Sequence, residues 1–377
     1  MQIKIHTEIS QIPEKEWNAL VQDNNPFLRH EFLNALENND CVSEEFGWHP
    51  CHITIRKDQK LVGAMPLYSK TNSYGEFVFD HAWANAYHQN ELPYYPKLVS
   101  SIPYAPVSGQ RLLSLEGHQS DVFPTLLATV QNLAEQNNFS GFHCLFAKQN
   151  EQDWMEKNGL LARHDCQFHW HNQEYDSFES FLERLNKKRR KNIRQERRRV
   201  EQQEITIRVL NGHTATETDW NNFAHFYQQT FAEKYGTATL NKGFFIEVAK
   251  KLPEQTLLIL ADTANGDCIA GSLMYVSDNT LYGRHWGCIE QIDKLHFEAC
   301  YYQGIEYCIK HKLSTFEPGA QGEHKIARGF IPTLTRSGHW LNNSPFQDSI
   351  ENFVEHEKKA IKQYMQSLKS PYKSEQP

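Results

Sequence analysis

The stretch TLLILADTANGDCIAGSLMYVSDNTLYGRHWGC, residues 256–288, decides the fold of the second half of this chain. It contains three short apolar runs, at 256–261, 268–277 and 280–286. Two turn dipeptides separate the runs: Asn265-Gly266 and Asp278-Asn279. Because short apolar runs between such turn residues are typical of neighbouring antiparallel strands, the stretch predicts a three-stranded meander.

The segments on either side of the meander predict helices. Upstream, Trp220, Phe223 and Tyr227 repeat at three- and four-residue spacing, which is typical of an amphipathic helix. Downstream, Tyr301 and Ile305 lie on one side of a helix predicted at 293–311, and a short strand is predicted at 314–316. The second half therefore runs from helices through a meander to a helix and a last strand.

The first half repeats this order of elements. The runs 51–56 and 60–68, joined at Asp58-Gln59, predict a hairpin, and the run 76–80 predicts a third strand. A helix predicted at 122–135 leads into a strand at 142–146. The repeated order predicts an α/β (α+β) fold of two similar modules, whose sheets are mixed and mainly antiparallel.

The length of the chain agrees with two modules. Its 377 residues exceed what one hydrophobic core usually organises. We predict an N-terminal module at 1–172 and a C-terminal module at 173–377, the second beginning with a basic helix at 178–201. Asp176 and Glu179 resemble the capping pair of that helix.

Composition narrows the class of protein. The N-terminus MQIKIHTEIS has neither the basic start nor the apolar block of a secretory signal, and no window reaches the roughly 18 apolar residues that cross a bilayer. Eight cysteines occur without a CxxC pair, as expected for reduced thiols. We therefore expect a cytoplasmic protein without membrane insertion, and the sequence does not indicate its oligomeric state.

Four segments of unusual composition carry a resemblance to a known family. They are SYGEFVFDHAWANAY (73–87), YYPKL with PYAPVSGQRLL (94–113), YGRHWGC (282–288) and FEPGAQGEHKIARGF (316–330). Together they resemble the FemAB-like predicted N-acyltransferases over nearly the whole chain. The resemblance implies tandem modules of the GNAT (acyl-CoA N-acyltransferase) superfamily, and relatives that add amino acids from aminoacyl-tRNA to peptidoglycan precursors.

The segment 316–330 holds the first candidates for catalysis. Acyl transfer needs a neutral amine, and removing a proton from an amine of pKa near 10 at pH 7 costs about 4 kcal/mol, so a base helps. Glu323 and His324 follow a predicted strand at a glycine-rich turn and are candidate bases or acids. The alternative is that they cap the next helix or face solvent.

Other candidates lie nearby in the second half. Lys325 and Arg328, three residues apart, would share a helix face and bind a carboxylate or phosphate of the substrate, unless that face is simply solvated. Arg284 and His285 lie on the last strand of the meander, where alternation sends one inward and the other outward. We consider Arg284 a substrate-binding candidate and His285 a catalytic one.

The first half offers a second set around the run 76–80. Glu76 and Asp80 share strand parity, so the two carboxylates would face one side and could hold an amine. Tyr74 and His81 flank them as further substrate-binding candidates, with Asp80 an alternative catalytic residue. The competing interpretation is a surface strand in which Asp80 caps the next turn.

A metal site is not predicted. Cys166, His169 and His171 lie close in sequence, but a fourth ligand at a recognised zinc spacing is missing.

The basic run KKRRKNIRQERRR, residues 187–199, is the strongest local feature of charge. It holds nine basic residues and one glutamate, a charge of +8 in a chain of net charge −7. Arg190 and Arg194 belong to a K/R-x-R-x-N-I-R-like segment shared with the Fem relatives and are candidate phosphate-binding residues. The alternatives are a solvated helix and general nucleic-acid binding.

These observations lead to one functional prediction and one rival. We predict an enzyme, an N-acyltransferase that transfers an acyl or aminoacyl group to an amine, with a link to cell-wall precursors. Because no typical acetyl-CoA pyrophosphate loop is present, the donor stays open between acyl-CoA and aminoacyl-tRNA. The acceptor is a small molecule or a nucleotide-linked molecule, and tRNA is a candidate partner. The rival is a non-catalytic nucleic-acid or nucleotide-binding protein that uses residues 187–199.

Overall fold

The computed structural model describes residues 1–233, 236–320 and 322–373. In chain order its strands are β1 (Gln2–His6), β2 (Trp48–Pro50), β3 (His52–Lys57), β4 (Lys60–Met65), β5 (Tyr68–Lys70), β6 (Lys97–Ser100), β7 (Leu113–Ser114), β8 (Gly141–Cys144), β9 (Leu161–His171), β10 (Thr206–Asn211), β11 (Thr256–Asp262), β12 (Cys268–Val276), β13 (Thr280–Cys288), β14 (Thr315–Glu317) and β15 (Ile331–Leu341).

The α-helices are α1 (Glu14–Asn18), α2 (His30–Asn38), α3 (His81–Gln89), α4 (Gln119–Gln136), α5 (Gln149–Lys157), α6 (Phe178–Arg184), α7 (Lys187–Glu201), α8 (Glu217–Ala232), α9 (Lys242–Lys251), α10 (Leu295–Phe297), α11 (Gln303–His311) and α12 (Gln347–Ser367). A π-helical turn, Glu298–Tyr302, connects α10 to α11. Short 3-10 helices occupy Ile9–Gln11, Pro26–Leu28, Pro253–Gln255 and Glu323–Arg328.

The chain divides into two compact units. The first unit consists of Met1–Asp165 and Leu334–Met365, and the second of Cys166–Thr333 and Gln366–Pro377. The boundary predicted at 172/173 lies close to the first change of unit, whereas the return of residues 334–365 to the first unit was not predicted. A chain that leaves a unit and returns to it cannot be divided at one point in the sequence.

The first unit contains a small antiparallel sheet in the order β1-β3-β4-β7 and a second run of strands in the order β15-β8-β6-β5-β2. In the second run, β6 and β8 are parallel and their neighbours are antiparallel. The helix α4 connects β6 to β8 and buries Val122, Leu126 and Val130 against residues of these sheets, including Leu98 and Phe142. This packing forms the core of the unit.

The second unit has the same plan. Its strands follow the order β10-β11-β12-β13-β14-β9, in which β13 and β14 are parallel and the remaining neighbours are antiparallel. The helix α8 packs closely on β13, because a Cβ atom at Gly287 would lie 2.3 Å from the carbonyl oxygen of Phe226. In each unit, therefore, antiparallel strands precede a helix and a parallel strand.

Several predicted elements are present. The meander is confirmed as β11, β12 and β13, which pair in sequence. The hairpin joined at Asp58-Gln59 is confirmed as β3 and β4. Both turn residues have positive φ, of 50° and 68°, which suits the right-handed twist of a tight hairpin.

The third strand predicted at 76–80 is wrong. Residues 73–80 form an irregular loop, in which Gly75 and Phe77 have φ values of 79° and 61°. Positive φ is incompatible with an extended strand. The loop is shaped instead by Lys97, to which the side chains of Glu76 and Asp80 both turn.

The single basic helix predicted at 178–201 is also wrong in one respect, because it is two helices. Leu185 is extended, with φ −75° and ψ 153°, and ends α6. The side chain of Asn186 then accepts a hydrogen bond from the backbone N–H of Arg189 and starts α7. The first helix is capped by Ser177 with Ser180, and not by the predicted pair Asp176 and Glu179.

Candidate active site

The candidate site of the second unit lies where its two parallel strands stop pairing. The ladder between β13 and β14 ends at Tyr282 opposite Glu317, and the chain then turns away through Pro318. On β13, Gly283 faces Met274 and His285 faces Leu273, so Arg284 is the extra residue of a β-bulge. Ligands commonly bind at the carboxyl ends of parallel strands, and bulges redirect side chains beside such sites.

Arg284 and Glu317 form a buried ion pair at this point. The guanidinium lies 3.3 Å from the carboxylate, and the exposed fractions of the two side chains are 3% and 8%. Arg284 also donates to the backbone carbonyls of Gly283 at 2.7 Å and of Glu317 at 3.3 Å. Burial lowers the pKa of Arg284, although Glu317 opposes the shift. The pair fixes the loop that leaves β14.

Lys325 is a buried amine with a strongly lowered pKa. Its side chain is buried, and Nζ donates to the backbone carbonyls of Gly319 at 2.7 Å and Ala320 at 3.2 Å. Burial, assisted by the positive charge of Arg284, lowers the pKa of Lys325 to about 7. At neutral pH this amine can therefore either donate or accept a proton.

Glu323 and His324 lie at the start of the 3-10 helix that carries Lys325, and both are exposed. The ring Nε2 of His324 lies 2.9 Å from the hydroxyl of Tyr301, on the π-helical turn. Partial burial, together with the charges of Arg328 and Lys325, lowers the pKa of His324. A neutral imidazole at pH 7 can accept a proton from an amine.

Arg328 is engaged by protein groups. It donates to Glu196 of α7 at 2.8 Å, and its guanidinium lies 3.4 Å from the centre of the Phe297 ring. Tyr302 donates a further hydrogen bond to Glu196. Arg328 and Lys325, predicted to bind one substrate group together, thus have different partners in the structure.

The environment of His285 is aromatic and differs from that of Lys325 and Arg328. Its ring centre is 5.2 Å from that of Tyr227 and 6.2 Å from that of Phe245, among the aromatic side chains of α8 and α9. Burial lowers its pKa to about 3, with a contribution from Arg284. His285 is therefore a neutral imidazole, half-buried against aromatic rings.

The candidates of the first unit form a buried ionic cluster centred on Lys97. Its ammonium lies 2.8 Å from Glu76 and 3.0 Å from the hydroxyl of Ser73, and it also pairs with Asp80. The hydroxyl of Tyr94 donates a hydrogen bond of 2.5 Å to the Asp80 carboxylate oxygen that also pairs with Lys97. The carboxylates of Glu76 and Asp80 both turn to Lys97, so the amine that they hold is that of Lys97.

The two carboxylates of the cluster have different electrostatics. Burial raises the pKa of Glu76 to about 7, despite Lys97. Burial also acts to raise the pKa of Asp80, but Lys97, supported by hydrogen bonds, overcomes it and lowers that pKa. Asp80 is thus firmly ionised, whereas Glu76 can exchange a proton near neutral pH.

Tyr74 and His81 are on the surface of the first unit. Tyr74 is 78% exposed, and His81, also exposed, begins α3 and lies 5.8 Å from Phe79 between ring centres. The loop therefore presents aromatic side chains outward and its carboxylates inward.

Sequence reasoning missed several polar residues of the interior. Lys97 begins the apolar strand KLVS. A lysine in an apolar strand, with acidic residues upstream, was a sequence signal for a buried ion pair. His143 and His339 are both buried, with their Nδ1 atoms 2.6 Å apart. Burial lowers the pKa of His143 to about 3. No local pattern in the sequence relates two histidines 196 residues apart.

Arg190 and Arg194 lie on α7, at some distance in sequence from the other candidates. Arg194 pairs with Glu179, and both side chains are more than half exposed. Arg190 is half-buried. The structure does not bring Cys166, His169 and His171 to a metal site: within the described ranges, no three side chains of His, Cys, Asp or Glu are grouped as metal ligands.

Comparison with known proteins identifies the family. A model of the FemAB-like family, described as peptidoglycan biosynthesis/recognition, matches residues 8–374. The chain belongs to the FemAB-like family. Membership confirms the predicted resemblance and assigns the chain to the acyl- and aminoacyl-transferring enzymes of cell-wall metabolism. Among curated proteins, no sequence relative matches the chain.

Solved structures support the fold of this FemAB-like protein. FemX superposes with a TM-score of 0.55 at 11% identity, over 93% of this chain and 100% of FemX. L-PGS from Bacillus licheniformis superposes with a TM-score of 0.52 at 9% identity, over 86% of this chain and 96% of L-PGS. These likenesses show the fold, and the predicted α/β architecture with mixed, mainly antiparallel strand pairing is confirmed. In the part of the chain that the structure describes, no helix has the length and apolar character needed to cross a membrane.

Proposed function

We propose that the second unit transfers an aminoacyl group to an amine at the carboxyl ends of β13 and β14. The observation that carries this proposal is Lys325, a buried amine with a pKa of about 7 whose hydrogen-bond acceptors among the described residues are backbone carbonyls. Such a group can turn from the carbonyls of Gly319 and Ala320 to a substrate at small cost. It lies on the segment that also carries both candidate bases.

The chemistry divides among three side chains. The acceptor amine attacks the carbonyl carbon of the donor, so that a C–N bond forms and the C–O bond of an ester, or the C–S bond of a thioester, breaks. Lys325 donates a hydrogen bond to the carbonyl oxygen as negative charge develops there, an effect typically worth about 10²–10³ in rate. His324 or Glu323 takes the proton of the amine and passes it to the leaving oxygen or sulfur, which departs as an alcohol or a thiol.

Tyr301 supports His324 in this role. Its hydroxyl lies 2.9 Å from Nε2 and can hold the imidazole in one orientation. Because the pKa of His324 is lowered by partial burial and by Arg328 and Lys325, the ring is neutral at pH 7 and can act as a base. Glu323, one residue earlier, is the alternative base.

The donor in this proposal is an aminoacyl ester on tRNA, and acyl-CoA is the alternative. Membership of a family described by peptidoglycan biosynthesis supports an amine of a nucleotide-linked peptidoglycan precursor as the acceptor. Arg190 and Arg194 are proposed to contact phosphate groups. The exposed pair between Arg194 and Glu179 contributes little to stability, so a phosphate can replace the carboxylate.

A transfer assay tests the proposal. The full chain is incubated with a nucleotide-linked peptidoglycan precursor and either radiolabelled aminoacyl-tRNA or acetyl-CoA, and the amide product is identified by mass spectrometry. We expect product from aminoacyl-tRNA, and at least 100-fold less product with Lys325→Met. Product from acetyl-CoA alone would reassign the donor. No product from either donor, across acceptors that carry a free amine, would refute the proposed reaction.

A further inference from the structure

The helix α7 presents a cationic face that the fold does not use. Ile193 and Val200 are buried and fix which side of the helix faces the unit. At about 100° per residue, Lys187, Lys191 and Arg198 then lie on the opposite side, with Arg194 beside them. Lys187, Lys191, Arg194 and Arg198 are all exposed. We call these four residues the outer face of α7; it extends for about 16 Å along the helix axis, at 1.5 Å per residue.

Arg197, on the inward side of α7, is paired with two carboxylates, whereas most of the outer face is not paired. Arg197 lies 2.9 Å from Glu298 and 2.7 Å from Glu306, and these pairs hold the helix in place. On the outer face, Arg194 has an exposed partner in Glu179. For Lys187, Lys191 and Arg198, no ion pair is formed with any carboxylate in residues 1–233, 236–320 or 322–373.

The first turn of α7 opposes its own helix dipole. A helix N-terminus is stabilised by acidic side chains and destabilised by basic ones, by about 0.3–1 kcal/mol each. The first turn of α8 follows this rule, with Glu217 and Asp219. The first turn of α7 holds no acidic residue and begins with two lysines and two arginines. Within the fold this charge is unfavourable, and a break of a local rule without compensation points to function.

The outer face is suited to a polyanion and not to a bilayer. A helix that lies on a membrane inserts an apolar face beside its cations, but the outer face of α7 contains no apolar residue. A row of four cations over about 16 Å corresponds to the rise of about five nucleotides at 3.4 Å each. The geometry fits a phosphodiester backbone, to which a protein binds through charge without contacting the bases.

We infer that the outer face of α7 binds the phosphate backbone of RNA and so docks the RNA to which the acyl group is attached. This inference rests on the proposed function, because an aminoacyl ester on RNA gives the helix a ligand. Each backbone contact releases counterions, so binding must weaken as salt concentration rises. The remainder of the chain carries a charge of −15, which confines RNA to this face.

Binding of deacylated RNA tests the inference without requiring catalysis. The probe is a fluorescent 24-nucleotide RNA hairpin with a four-nucleotide single-stranded 3′ end, titrated with the full chain at several KCl concentrations. The triple variant Lys187→Gln/Lys191→Gln/Arg198→Gln removes three cations of the outer face. We expect its affinity in 50 mM KCl to fall at least 10-fold, and its slope of log K against log salt to decrease by about 2, since each contact contributes about 0.7–0.9.

Two further variants make the test specific. Lys242→Gln/Lys250→Gln/Lys251→Gln removes three exposed cations from α9 of the same unit and should leave affinity and slope unchanged. Lys187→Arg/Lys191→Arg keeps the charge and should bind as the wild type does.

The inference is overturned if the wild type does not bind the hairpin in 50 mM KCl, or if both glutamine triples lose affinity equally. It is also overturned if the α7 triple loses binding only to anionic lipid vesicles. Because the RNA is deacylated, a negative transfer assay with intact RNA binding would refute only the proposed reaction.

Discussion

Arg328 donates a hydrogen bond of 2.8 Å to Glu196, and this ion pair ties the 3-10 helix of the candidate site to α7. The exposed fractions of the two side chains are 7% and 17%, so the pair is largely shielded from water. Tyr302 donates to the same carboxylate. The segment that carries Lys325 therefore depends for its position on a glutamate more than 120 residues earlier in the chain.

Loss of this glutamate should reduce stability. Glu196→Gln keeps the size of the side chain but leaves the charge of Arg328 without its partner, so we expect a loss of about 1–3 kcal/mol in the free energy of unfolding. For units of this size, each kcal/mol lowers the melting temperature by about 2–4 °C. Glu201→Gln, at the exposed end of the same helix, is the matched control. Equal melting temperatures for the two variants would show that the pair contributes nothing.

The cluster around Lys97 should be more sensitive. Lys97→Met leaves Glu76 and Asp80 as buried carboxylates without a cation, and breaking a buried pair in this way typically costs about 3–5 kcal/mol. Urea unfolding measures the loss, with Lys60→Met on the exposed hairpin as the control. Adding Asp80→Asn to Lys97→Met should recover part of the loss. Purely additive effects of the two substitutions would mean that the groups do not act as a pair.

The same cluster shows where reasoning from sequence reaches its limit. The meander was predictable because its runs, turn dipeptides and pairing are all local features. The loop 73–80 was not, because Glu76 and Asp80 alternate as they would in a strand while Lys97, 17 residues beyond Asp80, determines their positions. A long-range ion pair leaves no periodic signal.

The candidate site shows the same limit. Lys325 and Glu323 were identifiable as residues near a glycine-rich turn after a strand. The burial of Lys325 could not be predicted, because elements far away in sequence produce it. This burial, rather than the residue type, lowers the pKa of Lys325. The break between α6 and α7 was missed because Leu185 continues the apolar spacing of α6, although Asn186 is a typical cap.

The depressed pKa of Lys325 predicts a pH dependence of stability. In the folded chain this pKa is about 7, against an ordinary value of 10.5, so between these values the unfolded chain binds a proton that the folded chain lacks. Stability contributed by this group therefore rises with pH across that window, by up to about 1.4 kcal/mol per pH unit. Urea unfolding of wild type and Lys325→Met at pH 7, 8 and 9 measures it.

The free energy of unfolding of the wild type minus that of Lys325→Met should therefore increase from pH 7 to pH 9. Lys310→Met, at an exposed position of α11, should run parallel to the wild type. If Lys325→Met also runs parallel to the wild type, the lysine is not desolvated in solution and the argument for its role at neutral pH fails.

The choice of general base gives the sharpest prediction for activity. Glu323→Gln and His324→Asn keep the approximate shape of two exposed side chains, so melting temperature should change little with either. The variant that removes the base should lower turnover about 100-fold or more in the transfer assay at saturating donor. We expect the larger loss for His324→Asn, because Tyr301 already positions that ring at 2.9 Å and its lowered pKa keeps it neutral at pH 7. Tyr301→Phe removes only the positioning hydroxyl and should give a smaller loss than His324→Asn. If both Glu323→Gln and His324→Asn retain near-normal turnover while Lys325→Met does not, the proton of the amine is taken by Lys325 itself.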